Sequence, residues 1–300
     1  MKLFLTGASG LLGHALASNF LEAGWEVHAS SNKRRIKNER LKLHPIDLTR
    51  IEDLGTLIKQ IQPEAIINAA ALTVPAACEK DPLLSEALNV KLPIAIATYA
   101  ASEGIRFVHF STDMVFDGKH GYYTEKSSTN PTNLYGEHKL QAEDRISEIC
   151  SAACIIRLPL LMGNSPAGTR SVHEALWSSW SQNKTTPLFE DEWRTPVSVS
   201  NVASLTNELI STTTIQGLFH WAGATAVNRW EMGARISGKL GVSKRLLQRT
   251  LARDFSQFKD RPLNLTMDSS KLKTLVQTEP ASFENQLEEL RIPSNLAPPI

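Results

Sequence analysis

Cysteine is scarce: Cys78, Cys150 and Cys154 are the three in 300 residues. The number is odd and no Cys-x2-Cys pair occurs, which excludes a disulfide framework and offers no zinc or redox spacing; buried or incidental thiols are expected. The eight histidines include no His-x3-His pair, so no metal site is expected. His220, within Gly217-Leu-Phe-His-Trp-Ala-Gly223, reads as a satisfied core or strand histidine. Charge of one sign is also missing. With 32 basic against 31 acidic residues the net charge is +1, which gives no electrostatic case for nucleic acid or a membrane surface. No apolar run approaches the roughly 18 residues of a membrane span. Met1-Lys2 leads straight into a strand-like segment, and the expected location is the cytoplasm.

What the chain does have is alternation. Strand-like runs at Leu3–Leu5, Glu26–Ala29, Ala65–Ala69, Phe107–Phe110 and Cys154–Leu158 are separated by helical patterns near Leu11–Ala23, Ile51–Ile61, Leu83–Glu103 and Tyr135–Ile149. That rhythm predicts an α/β fold, a Rossmann-type doubly wound parallel sheet with helices on both faces. The nucleotide-binding domain is expected over residues 1–160 and a smaller substrate lobe mainly over 161–300, with one strand near 217–223 returning to the sheet. Trp177, Trp180 and Trp193 fall in that lobe, either as its core or as a stacking surface for a base or sugar. Glu174, Glu190, Asp191 and Glu192 read as solvated.

The opening Thr6-Gly-Ala-Ser-Gly-Leu-Leu-Gly13 sits between the first strand and the first helix, which is where a chain wraps a pyrophosphate. Gly7 supplies a turn with positive φ, Gly10 lets backbone N–H groups approach an anion, and Gly13 lets the helix lie close to the sheet. Gly7, Ser9, Gly10, Leu11, Leu12 and Gly13 are therefore the expected phosphate cradle. Gly-x2-Gly-x2-Gly alone also fits a plain glycine-rich turn; the strand before it and the helix after it favour the nucleotide.

The end of the second strand meets the adenosine ribose in such folds, and here it runs into Asn32-Lys33-Arg34-Arg35 with no carboxylate. Two adjacent arginines suit a 2′-phosphate, so NADP(H) is preferred over NAD(H), with a solvated basic turn as the alternative. Asp47 and Leu48 are placed to contact adenine, and the small residues Ala69, Ala70 and Ala71 leave room for the cofactor at a strand end.

Ser111-Thr112-Asp113 closes another strand, and Tyr135 and Lys139 stand four residues apart on one helix face. That face continues through Ala142, Ile146 and Ile149, so Lys139 points inward. A lysine there lowers the pKa of the phenol and can hold cofactor ribose hydroxyls, making Tyr135 a general acid toward a carbonyl whose oxygen Thr112 helps fix. Taken alone, Tyr-x3-Lys is equally an amphipathic helix with a snorkelling lysine.

Together with Ile67-Asn-Ala-Ala-Ala71, Phe110-Ser-Thr-Asp-Met-Val-Phe-Asp-Gly118, Pro131-Thr-Asn-Leu-Tyr-Gly-Glu-His-Lys139 and Arg261-Pro-Leu-Asn-Leu-Thr-Met-Asp-Ser-Ser-Lys271, these motifs resemble the extended short-chain dehydrogenase/reductases, and within them the dTDP-4-dehydrorhamnose reductase branch. The resemblance spans nearly the whole chain. It implies NADPH-dependent reduction of a 4-keto nucleotide sugar, with the proton from Tyr135 and help from Lys139 and Thr112. Substrate contacts are expected from Thr73, Met114, Arg194 and Arg261.

Two departures qualify it. Met114 stands where the reductases usually carry a tyrosine that contacts the sugar, so sugar identity is open. Ala15 replaces a glutamate that helps hold magnesium at a dimer contact in some bacterial reductases, so no metal-bridged dimer is expected. A nucleotide-sugar dehydratase would need a carboxylate where Met114 is. The stretches Gly217–Met232 and Arg157–Gly163 are similar to the regulatory beta subunit of methionine adenosyltransferase, which implies the alternative of an NADP-binding regulatory protein partner. A homodimer is the other association compatible with the sequence.

Overall fold

The computed structural model describes residues 1–31, 36, 38–256 and 261–293. Asn32, Arg34 and Arg35, the residues expected to choose the cofactor, lie outside the described residues, as does most of the proline-rich tail.

The first half runs β1 (Lys2–Thr6), α1 (Leu11–Glu22), β2 (Glu26–Ser31), β3 (Lys42–Pro45), α2 (Ile51–Ile61), β4 (Ala65–Asn68), α3 (Pro75–Lys80), α4 (Pro82–Glu86), α5 (Leu92–Glu103), β5 (Arg106–Thr112), α6 (Leu134–Ile149) and β6 (Cys154–Leu158). The second half has β7 (Leu161–Met162), α7 (Val172–Trp180), β8 (Thr186–Phe189), β9 (Trp193–Arg194), β10 (Val197–Ser198), α8 (Val199–Ser211), β11 (Gly217–His220), β12 (Val227–Asn228), α9 (Arg229–Lys239) and β13 (Leu247–Thr250), then two short helices, α10 (Ser270–Lys273) and α11 (Phe283–Glu289).

Seven parallel strands form the main sheet in the order β11-β6-β5-β4-β1-β2-β3. The late β11 pairs with β6, from Gly217 opposite Cys154 to His220 opposite Arg157, which is the expected return of the chain. Alternation along each strand sends Leu3, Leu5, Ile67 and Val108 into a core with α1 and α8. Phe4, Ile66, Phe107 and Ile155 enter a second core with α2, α5 and α6. Both faces are therefore covered, as a parallel sheet requires. A further core, built from α7, β8, α9, α11 and their neighbours, holds Trp177, Trp180, Met232, Ile236 and Phe283 and makes the smaller lobe, whereas α3 and α4 pack on α6 and Leu272 of α10 joins the first core. Trp177 and Trp180 are thus packing residues. Among the described residues no helix is long and apolar enough to cross a membrane.

The long helix expected over Leu83–Glu103 is broken. A π-turn spans Ala87–Lys91 between α4 and α5. Pro93 near the start of α5 has no N–H to donate to residue 89, and its ring displaces that carbonyl, which loosens the preceding turn. The break aims the buried Asn89 back at the cleft wall, where its side chain accepts from Leu72 N and donates to Leu72 O, each at 3.0 Å.

Candidate active site

The glycine loop is shaped by backbone contact. Gly7 has φ +75°, and a Cβ there would lie 2.5 Å from the Ala69 carbonyl oxygen; a Cβ on Gly13 would lie 2.1 Å from the Gly7 carbonyl oxygen. Only glycine allows β1, the loop, α1 and the end of β4 to meet this closely. Gly10 caps α1 without a side-chain acceptor, and no acidic residue occupies the first turn. The first-turn N–H groups, without intrahelical partners, face a cavity lined by Gly10, Leu11, Leu12 and Gly13. A helix dipole and unclaimed donors at a cavity wall fit a pyrophosphate.

That cavity, of about 510 Å³, also takes in Ala69, Ala70, Ala71, Thr73, Thr112, Met114, Tyr135 and Arg194. The structure thus brings the loop, Thr112 and Tyr135 into one cleft at the carboxyl ends of the strands. Asn133 caps α6 by accepting from Gly136 N at 3.0 Å. Gly136 lets that helix press on the Met114 backbone, since a Cβ there would be 2.2 Å from the Met114 carbonyl oxygen. Tyr135 and Thr112 are thereby brought to the same cavity wall.

Lys139 lies one turn deeper, fully buried and behind the cavity wall. Its ammonium donates to the Phe110 carbonyl at 2.6 Å and sits 2.9 Å from His109 Nε2. The expected electrostatic effect on the phenol is not found. Burial pushes Tyr135 well above its ordinary value, an effect the neighbouring Thr112 hydroxyl only partly opposes. Burial also pushes Lys139 down to about 7, with the Glu143 carboxylate opposing. Desolvation is the largest influence on both groups, and neither shift has a contribution from the other residue. A phenol that keeps its proton is the form a general acid needs.

Below the lysine, Glu143 pairs with Arg157 at 2.6 Å and accepts from the Ser111 hydroxyl; both charged side chains are 3% exposed. His220 is buried and bonds the Tyr123 carbonyl at 3.1 Å, as a satisfied core histidine. The three cysteines are free and buried.

The cleft has a second polar side, where Arg194 and Arg261 were expected and Glu192 and Arg229 were not. Glu192 is fully buried and binds Arg194 at 3.2 Å, Arg229 at 2.7 Å and Arg261 at 2.7 Å. Burial raises its carboxyl, but the three guanidinium groups outweigh that and hold it at about 2. Arg194 also lies 3.7 Å from Asp113; burial lifts Asp113 to about 6 against that attraction. Arg194 and Arg229 line the cavity, whereas Arg261 stands behind them.

Glu192 and Glu174 are therefore not solvated. Glu174 is buried and accepts from Ser165 N at 2.6 Å and from Arg170 N at 2.7 Å, which fixes the Thr169–Val172 loop that lines the cavity. A capping box, Ser171 with Glu174, was a legible signal for this anchor. Asp47 and Leu48 are outside the cavity lining: Asp47 is exposed and accepts from Thr49 N at 3.0 Å, and Leu48 packs toward the α2 side of the sheet.

A Rossmann-type parallel sheet with a glycine loop at its carboxyl edge defines the class of doubly wound nucleotide-binding folds. The RmlD substrate binding domain family matches residues 1–293, and the chain belongs to that family. It is similar to the probable low-salt glycan biosynthesis reductase Agl14 of Haloferax volcanii, 30% identical over 293 residues and 97% of each chain. It is also 30% identical to methionine adenosyltransferase 2 subunit beta of Mus musculus over 293 residues, 96% of this chain and 86% of that one. A hypothetical dTDP-4-dehydrorhamnose reductase from Sulfolobus tokodaii superposes with TM-score 0.83 at 27% identity, covering 97% of this chain and all of the other.

Proposed function

We propose that the protein is an NADPH-dependent reductase of a 4-keto nucleotide sugar. The observation that carries the reading is that Thr112 and Tyr135 line the same cavity as the glycine loop, with Lys139 one turn deeper. Bound NADPH supplies the hydride. Tyr135, held protonated by burial, donates its proton to the carbonyl oxygen, and the Thr112 hydroxyl hydrogen-bonds that oxygen as negative charge develops. The α1 N-terminus and Ala69–Ala71 hold the dinucleotide backbone, with Arg34 and Arg35 on the 2′-phosphate. Arg194 and Arg229 give the opposite wall a positive field for a diphosphate, with Arg261 in support, and Thr73 and Met114 border the sugar. Met114 removes a hydroxyl from that border, which favours a substrate with an apolar group there, such as a 6-deoxy sugar.

The test is NADPH consumption with a 4-keto-6-deoxy nucleotide sugar generated in place. Tyr135→Phe should lower kcat by about 10² to 10⁴ while NADPH still binds; turnover like the wild type would remove the assigned role. Replacing Arg34 and Arg35 together with alanine should weaken NADPH binding far more than NADH binding, and equal losses would defeat the 2′-phosphate argument. The likeness to the methionine adenosyltransferase subunit supports a second reading, a cofactor-binding regulatory partner. Co-purification with a synthetase, together with NADPH binding without turnover, would favour it.

A further inference from the structure

Sheet register lays three polar side chains in a row beneath α6: Thr6 opposite Asn68, and Asn68 opposite His109. All three are buried, at 0%, 1% and 0% exposure. They form one chain of hydrogen bonds. Ala70 N donates to Thr6 Oγ1 at 3.1 Å, Thr6 Oγ1 lies 2.5 Å from Asn68 Oδ1, Asn68 Nδ2 lies 3.1 Å from His109 Nδ1, and His109 Nε2 lies 2.9 Å from Lys139 Nζ. The chain thus joins the backbone of the cofactor cradle to the lysine.

The chain has two self-consistent polarities. In one, the Thr6 hydroxyl donates to Asn68 Oδ1, Asn68 Nδ2 donates to His109 Nδ1, and His109 carries its hydrogen on Nε2, which donates to a neutral Lys139 amine. In the other, a charged Lys139 donates to Nε2. The imidazole hydrogen is then on Nδ1 and donates to Asn68 Oδ1, the amide having turned over so that Nδ2 donates to Thr6. Heavy-atom positions are the same in both, because amide and imidazole exchange donor and acceptor at fixed shape. His109 keeps one ring hydrogen throughout, and the proton that charges Lys139 comes from outside the row.

We propose that His109 is a positioning residue of this site, switching between its two neutral tautomers as Lys139 gains and loses its charge and carrying that change through Asn68 to the Thr6 hydroxyl, which accepts from Ala70 N in both states. The kinetic consequence rests on the reductase reading; the tautomer switch does not. Burial and the neighbouring lysine hold His109 well below the ordinary imidazole value, so it stays neutral while Lys139, at about 7, titrates. The groups facing Lys139 are Tyr135 and Glu143 on its own helix, His109 and the Phe110 carbonyl on β5, and, through Glu143, Arg157 on β6.

The experiment is ¹⁵N spectroscopy of imidazole-labelled protein from about pH 5.5 to about pH 9, with the His109 signal assigned by its loss in His109→Gln. A hydrogen on Nδ1 at the acid end, on Nε2 at the alkaline end, and a single tautomer at both ends in Lys139→Met is the expected result. One tautomer across the range in the wild type, or an imidazolium, would overturn the proposal. No substrate is needed, so a static His109 and an absent turnover are separate outcomes. Where turnover is present, His109→Gln should move the pH dependence of kcat by about one pH unit with KM held. A uniform loss at every pH would assign His109 to packing alone.

Discussion

Replacing Lys139 with methionine tests the energetic claim on which the site rests, that a cation has been buried at the expense of stability. The lysine sits at about 7 in the folded chain, against an ordinary value of about 10.4, and that difference corresponds to about 5 kcal/mol. Its sign follows from proton binding. Between those two values the unfolded chain holds a proton that the folded chain lacks, so stability rises with pH across the window by up to about 1.4 kcal/mol per pH unit. Below pH 7 both states are protonated and the full penalty applies; above pH 10 it is gone. Methionine has no such term, but it leaves the Phe110 carbonyl and His109 Nε2 without their partner, a loss of about 1 to 3 kcal/mol. The variant should therefore be more stable than the wild type by about 2 to 4 kcal/mol in mildly acidic solution, lose that advantage steadily as pH rises, and fall below the wild type near pH 10. Urea unfolding followed by tryptophan fluorescence at several pH values measures this directly, with equal m-values as the control. Parallel curves with no convergence would mean that Lys139 keeps an ordinary pKa in the folded chain, and the burial argument would fail.

Three further substitutions test the loop, a helix control outside the cleft, and the buried ion cluster. Gly13→Ala places a methyl 2.1 Å from the Gly7 carbonyl oxygen and 2.6 Å from its carbon, so the loop must shift; nucleotide affinity should fall by at least about tenfold, read by calorimetry, or about 1.4 kcal/mol. Gly55→Ala, in α2 with open space around the new Cβ, should leave binding unchanged and raise stability by about 0.5 to 1 kcal/mol. Glu192→Gln leaves three arginines around a buried neutral group, at an expected cost of about 3 to 5 kcal/mol in urea unfolding. A change under about 0.5 kcal/mol would show the cluster to be as weakly coupled as an exposed ion pair.

How much of this was legible follows from the distance over which each feature is encoded. The glycine loop and the Tyr135/Lys139 pair are written in one strand-turn-helix and one helix turn, where spacing alone fixes which side chains meet, and both lie where the sequence places them. The inward direction of Lys139 was readable from Ala142 and Ile146 on the same stripe. Its lack of effect on Tyr135 was not, because the phenol's pKa depends on how much water the fold removes, and desolvation dominates both groups here. Glu192 reads as one of three adjacent acids in a polar run, and nothing local shows that Arg229 and Arg261 converge on it. The Thr6–Asn68–His109 row needs the register of three parallel strands, which β1, β4 and β5 set only once the intervening helices have packed. A strand end carries a readable motif because its chemistry is local to the turn that follows it. The polar row one layer beneath belongs to the sheet as a whole, so the residues that tune the lysine are harder to read than the residues that flank it.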